Sequence, residues 1–410
     1  MQTLLHPGLT CKAIFFLLFF SASILAQPQY QFTDLDALLG TESEYIKMGS
    51  IATAVNDEGH VAGYYILNTT DRKLNKSIGF IYRSENGIEK IIAPDDRSIE
   101  ISGINNTDQF IGKWTTPSGD ESYFVHRQAF ENLDSFKYAS KINDEGDVLG
   151  IIDTPRGTLD SSVAVLKSDS TLIDILQNTE NCDQAMPNDC AGTNQIDFDY
   201  WQKVSMTDMN NKGQIVFALL KASAPDEIDS NDYNIYSFDP EVGVRFLMHK
   251  RYTMQIRGAG QLNAVSINNN GTILISGHNG GDGFHHYSLH LYSVDGTNLT
   301  PETTLEEMQP YQLMTYAGFH TINDANTIVG TRASIFSLMN ASQAYLNDQL
   351  LYSPYNTEGA PDFSSSNAIE DINGSGTLVG SRLIIGYGEY EQSKSFAFIF
   401  TRTNEGNIIE

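Results

Sequence analysis

One phrase is written seven times along this chain: an aliphatic or β-branched residue, Asn, usually Asn or Asp, and Gly two positions further on. The copies are Val55-Asn56-Asp57-Glu58-Gly59, Ile104-Asn105-Asn106-Thr107-Asp108, Ile142-Asn143-Asp144-Glu145-Gly146, Met209-Asn210-Asn211-Lys212-Gly213, Ile267-Asn268-Asn269-Asn270-Gly271, Ile322-Asn323-Asp324-Ala325-Asn326 and Ile372-Asn373-Gly374-Ser375-Gly376. A fixed phrase recurring every few tens of residues marks a repeat architecture, in which each copy is one supersecondary unit. The intervals between the Asn positions are 49, 38, 67, 58, 55 and 50 residues.

Each copy reads as strand, tight turn, strand. The residue before the Asn favours extended backbone. Asn or Asp at a turn start bonds to backbone two residues on. Gly59, Gly146, Gly213, Gly271 and Gly376 suit the left-handed position of a short hairpin. Asp108 and Asn326 stand there in two copies, and these residue types tolerate positive φ next best. An apolar stretch follows and meets Gly63, Gly112, Gly150, Gly277, Gly330 or Gly380, where close backbone approach or a bend is expected.

A second strand, usually rich in aromatics, recurs after a polar gap: Gly79-Phe80-Ile81-Tyr82, Ser122-Tyr123-Phe124-Val125 and Ala397-Phe398-Ile399-Phe400 are examples. Adding a Gly-containing turn and a last short strand gives about four strands per unit. Seven such units predict an all-β chain folded as a seven-bladed β-propeller. The segment Tyr30-Gln31-Phe32-Thr33-Asp34-Leu35 has no unit of its own, and the last unit ends early. The N-terminal strand is therefore expected to complete the last blade and remove exposed edges.

The segments Tyr30–Leu35, Ala52-Thr53-Ala54-Val55-Asn56-Asp57-Glu58-Gly59-His60-Val61-Ala62-Gly63 and Gly79–Tyr82 together resemble the HAF-type extracellular repeat family of bacteria. That family is named for a His-Ala-Phe stretch, whose nearest equivalents are Phe396-Ala397-Phe398 and Ile78-Gly79-Phe80. The resemblance covers nearly all of residues 28–410. It implies an exported β-propeller-type protein, and it carries over no catalytic residue.

Residues 1–26 read as a secretory signal peptide: Lys12, then an apolar run of about 14 residues, then small residues up to Ala26. An uncleaved anchor is the alternative reading, although the run is short for a span of roughly 20 residues. Residues 27–410 then form a single propeller domain. The expected location is secreted or periplasmic, with no membrane association after signal removal.

The formal charge is −26. Such a chain repels nucleic-acid backbones and anionic lipid, which excludes a nucleic-acid partner. Cys11 leaves with the signal, and Cys182 and Cys190 remain in a polar loop. In an exported protein these two are expected to form a disulfide. They lie in an insertion, at about 177–203, that lengthens the third interval. Scaffold-held loops often carry function, so this insertion is the first place to look.

Candidate chemistry is thin. His285, His286 and His290 fall on one strand, where four residues span roughly 13 Å, too far for one metal. Asp226, Glu227, Asp229 and Asp232, with Asp197, Asp199 and Asp208, offer oxygens for Ca²⁺, the only cofactor considered. They lack the spacing of a calcium loop. No nucleophile elbow or phosphate loop occurs. Tyr200-Trp201 and Tyr311 are candidate platforms for carbohydrate or peptide.

The expected function is a non-enzymatic binding module at the cell exterior, with a protein or glycan partner. A polysaccharide-acting hydrolase or lyase and a structural surface or matrix component are the alternatives. Acidic residues converging in a central pocket with raised pKa values would favour the enzyme.

Overall fold

The computed structural model describes residues 29–40, 46–68, 76–177, 179, 195–196, 198, 200–222, 230–253, 261–281, 284–299, 303–304, 315–334, 342–346, 349–350, 364–385 and 394–403. The signal segment, Cys182 and Cys190 lie outside the described residues, as does most of the insertion.

The chain begins with β1 (Gln29–Asp34) and a short helix α1 (Leu35–Leu39). The first repeat follows as β2 (Ile46–Val55), β3 (Val61–Asn68), β4 (Lys76–Arg83) and β5 (Gly87–Ile91). The second is β6 (Ser98–Ile104), β7 (Phe110–Thr115), β8 (Glu121–His126) and β9 (Phe130–Asn132). The third is β10 (Phe136–Ile142), β11 (Val148–Ile152), β12 (Ser162–Leu166) and β13 (Leu172–Asp174).

The fourth repeat is β14 (Lys203–Met209), β15 (Ile215–Ala222), β16 (Ser230–Asp239) and β17 (Gly243–Thr253). The fifth is β18 (Gln261–Ile267), β19 (Thr272–Gly281), β20 (Phe284–Ser293) and β21 (Thr303–Thr304). The sixth is β22 (Thr315–Ile322), β23 (Ile328–Ser334), β24 (Ser342–Leu346) and β25 (Gln349–Leu350). The seventh contributes β26 (Ser364–Ile372), β27 (Leu378–Ile385) and β28 (Lys394–Thr403).

The molecule is thus all-β. Within each repeat the strands pair antiparallel in chain order. Along β28, β1 pairs from Gln29 opposite Thr403 to Asp34 opposite Phe398. A single parallel bridge, Gly49 to Ser395, also joins β28 to β2. The strand expected over Tyr30–Leu35 ends one residue earlier, because Asp34 caps α1 by accepting the Ala37 N–H at 3.0 Å. That helix buries Leu35 and Leu39 beside β28 and the first repeat.

Glycine explains why the second strand of most repeats is so particular. Gly63 faces Phe80 across the strands, Gly112 faces Phe124, Gly330 faces Tyr345 and Gly380 faces Phe398. A Cβ on Gly63 would stand 2.2 Å from the Ile51 carbonyl oxygen and 2.7 Å from the Phe80 ring. Over Gly63, Gly112 and Gly380 the aromatic of the third strand covers the bare glycine's backbone, the pairing known to rescue glycine in sheets. In the fourth repeat the glycine is replaced by Phe217, which stacks on Tyr236 at 5.4 Å between ring centroids.

The core sits between repeats, not inside them. Ala54, Ala62 and Ile81 pack with Ile99, Ile101 and Phe124 between the first and second. Ile111 and Val125 pack with Ile142 and Val148 between the second and third. Comparable clusters join the fourth to the fifth, the fifth to the sixth, and the sixth to the seventh. Val379, Ala397 and Ile399 of the seventh repeat then pack against Ala52, Val61 and Phe80 of the first.

The interface between the third and fourth repeats differs. Ile196, Phe198 and Trp201, from the described part of the insertion, are buried there among Leu149, Val163, Val204 and Phe217. Trp201 is therefore core, not an exposed platform. Tyr200 is half-buried, packs edge-on against Trp201, and donates its hydroxyl to Asp232 at 3.1 Å. Tyr311, the other candidate platform, lies outside the described residues.

Candidate functional site

The seven Asn turns come together. In every copy the Asn N–H donates to the carbonyl four residues on, and the residue three positions after the Asn donates its N–H back to the Asn carbonyl. That residue is in the left-handed region: φ is 80° at Gly59, 82° at Gly146, 72° at Gly213, 81° at Gly271, 86° at Gly376, 59° at Asp108 and 58° at Asn326. The Asn Oδ1 accepts N–H groups of its own turn, as Asn105 does from Thr107 and Gln109.

This leaves the side-chain NH2 to look outward, and it reaches the next repeat. Asn56 donates to the Asn105 carbonyl at 2.9 Å, and Asn105 to the Asn143 carbonyl at 2.8 Å. Asn210 donates to Asn268, Asn268 to Asn323, and Asn323 to Asn373, at 2.9–3.0 Å. Asn373 donates to the Asn56 carbonyl at 2.8 Å. Each receiving carbonyl uses its second lone pair, the first being taken by the turn. The seven Asn residues are all buried, none more than 4% exposed. Burial of an amide without these partners would be costly.

Asn143 breaks the pattern. Its amide turns back to Asp147 in its own repeat, at 3.4 Å. Asp147 is buried, pairs with Lys167, and accepts the Ser168 N–H at 2.9 Å. The third and fourth repeats are linked instead through Asp144 and Asn211: the Asp144 N–H donates to Asn211 Oδ1 at 3.1 Å, and Asn211 Nδ2 returns to Asp144 Oδ2 at 2.5 Å.

A polar cavity of about 100 Å³ opens where the turns converge, and all seven repeats line it. The position two before each Asn supplies its chemistry. In the third to seventh repeats this is Lys141, Asp208, Ser266, Thr321 and Asp371, all lining the cavity. In the first two repeats it is Ala54 and Gly103, which bring no polar group.

Asp208 and Asp371 play matching parts. Asp208 Oδ2 accepts the Ile267 N–H at 2.9 Å and the Ser266 hydroxyl at 3.0 Å, both from the following repeat. Asp371 Oδ2 accepts the Val55 N–H at 3.0 Å, reaching from the seventh repeat to the first. Lys141 has no hydrogen-bond or ion-pair partner among the described residues. Burial works against its charge, yet the carboxylates of Asp208, Asp371 and Asp57 outweigh it and hold the ammonium above the usual lysine range.

Burial pushes the Asp371 carboxyl up, against the opposing pull of Lys141. Burial and the charge of Asp371 push Glu370 up as well. Glu370 is exposed, and it does not line the cavity. Further along, burial and then Glu100 and Glu370 raise Tyr64 to about 12.

Of the earlier candidates, Asp208 joins this cavity while Asp232 ends at Tyr200 and Arg251, so the two do not share a cation. Asp197, Asp199, Asp226, Glu227 and Asp229 lie outside the described residues. Among the described residues no group of three or more His, Cys, Asp or Glu is placed to hold a metal ion. His290 is buried in β20, four positions along the strand from His286. The convergence of Lys141 and Asp371 was missed because neither carries a motif. The signal was internal: the turn positions repeat, whereas the position two before the Asn does not.

Neither known protein families nor curated proteins match this sequence. Solved structures that resemble it include β-propellers. One is the β-propeller domain of the Trilobed protease from Pyrococcus furiosus, at TM-score 0.47 and 11% identity, covering 90% of this chain and 98% of that one. The polysaccharide lyase Uly1 aligns at TM-score 0.47 and 9% identity, over 84% and 88%. Prolyl oligopeptidase B from Galerina marginata aligns at TM-score 0.47 and 12% identity, over 90% and 51%.

Proposed function

We propose that this chain is a seven-bladed β-propeller, its ring closed where β1 completes the last blade. On this reading it is an exported binding module of the HAF-type repeat family, and its ligand sits in the cavity where the seven turns converge. The observation that carries the proposal is the Asn373 to Asn56 hydrogen bond, which brings the last turn against the first. The core cluster between the seventh and first repeats supports the same closure. Every repeat contributes to the cavity, as in ligand sites built at the meeting point of several elements.

A plug tests the site. Thr321→Trp fills the cavity from one strand and leaves the Asn belt untouched. Ligands found by a thermal-shift screen of residues 27–410 should lose their stabilisation in this variant. Ligands whose effect survives the plug would place binding elsewhere and defeat the reading.

The second reading is a polysaccharide-acting hydrolase or lyase. Asp371 favours it, since its carboxyl lines the cavity and burial pushes it up, as a general acid requires. Release of reducing ends or unsaturated products from a polysaccharide panel, abolished by Asp371→Asn, would establish it.

A further inference from the structure

We infer that the cavity selects a small neutral polyol, such as the terminal residue of an uncharged glycan, and rejects acidic sugars. This rests on the binding reading above and specifies its ligand class.

Comparing the repeats with one another separates scaffold from site. The Asn and the left-handed residue three positions later do the same work in each turn. The position two before the Asn is different in kind: a cation at Lys141, carboxylates at Asp208 and Asp371, and hydroxyls at Ser266 and Thr321. A scaffold needs no such variety. At this position the polar groups come from the third to the seventh repeat, since Ala54 and Gly103 add none.

This set fits hydroxyl groups. Lys141 offers three N–H donors with no hydrogen-bond partner among the described residues. Asp208 and Asp371 each spend lone pairs on backbone N–H groups and keep others to accept from a ligand. Ser266 and Thr321 lie side by side at 3.3 Å; Ser266, whose proton goes to Asp208, can accept, and Thr321 can give and take. A vicinal diol accepts from the ammonium and donates to the carboxylates, completing both sets.

Charge sets the limits. Asp57, Asp144, Asp208, Asp324 and Asp371 line the cavity against a single lysine, so a ligand carboxylate meets repulsion. Neutral oxygen-rich ligands escape this penalty.

The test is calorimetric titration of residues 27–410 with neutral hexoses and with glucuronate as the charged counterpart. Neutral sugars should bind at least about tenfold more tightly than glucuronate. Lys141→Met should weaken the neutral sugar by about tenfold or more, the usual loss for a hydrogen bond to a charged group. If Lys141→Met does not fold, judged by its melting curve, Ser266→Ala with Thr321→Val carries the same prediction. Glucuronate binding as well as the neutral sugar, and blocked by the Thr321→Trp plug, would overturn the ligand class and leave the binding site standing. Neutral sugar affinity unchanged in the Lys141 and hydroxyl variants would also overturn it. No plug-sensitive binding by any probe would bring down this inference together with the reading beneath it.

Discussion

Asn373 donates its side-chain amide to the backbone carbonyl of Asn56, 2.8 Å away and 317 positions distant in sequence. Two neighbours reinforce it: Gly374 donates its N–H to Asp57 Oδ1 at 2.8 Å, and Val55 donates its N–H to Asp371. One seam thus carries hydrogen bonds from three successive levels of the turn.

Asn373→Asp keeps the acceptor that organises its own turn and removes the donor across the seam. It also sets a carboxylate against the Asn56 carbonyl. We expect a loss of about 1–3 kcal/mol, the cost of leaving a buried polar group unpaired. Urea denaturation of the variant beside wild type measures it.

Gly380→Ala tests the covered glycine. Its Cβ would fall 2.0 Å from the Ala368 carbonyl oxygen and 3.0 Å from the Phe398 ring. Backbone cannot yield as a side-chain tip can, so the cost should reach the upper end of overpacking, about 3 kcal/mol. Gly59→Ala meets no atom within 4 Å and should cost less, through its φ of 80° alone. Equal losses in the two variants would refute the steric account.

Trp201→Ala should lower stability by about 3–5 kcal/mol, because the indole is buried between the third and fourth repeats. The Asn belt is interrupted at this interface, so packing carries more of the connection. A loss below about 1 kcal/mol would return the insertion to the surface.

Asp371 predicts a pH dependence with a definite sign. Its carboxyl is pushed up in the folded chain, so the folded state holds its proton more tightly than the unfolded state. Stability from this group is therefore present at low pH and is lost as pH rises through the window above 3.8. Asp371→Asn removes that loss, and its amide oxygen can still accept from Val55. Paired melts across pH should show the variant gaining on wild type as pH rises through that window. A gap independent of pH would show that burial does not govern this carboxylate.

Periodicity exposed the turns, the paired strands and the N-terminal strand without a repeat of its own, because backbone demands repeat wherever the backbone does. The glycines of the second strands were legible as positions of close approach, and Phe80 over Gly63 supplies the reason. The cavity was not legible. Lys141, Asp208 and Asp371 come from three repeats, and only the fold brings them together. Trp201 misled for the opposite reason: an aromatic in a polar insertion reads as exposed until the gap it fills is known.

The closure of the ring is tested most directly by a cross-link between its ends. Gln31 and Thr401 are register partners on β1 and β28, and both are exposed. With both changed to Cys, and Cys182 and Cys190 changed to Ser, oxidation should give an intramolecular disulfide in the monomer and a raised melting temperature. Free thiols after oxidation, or disulfides found only between chains, would contradict a ring sealed by its first strand.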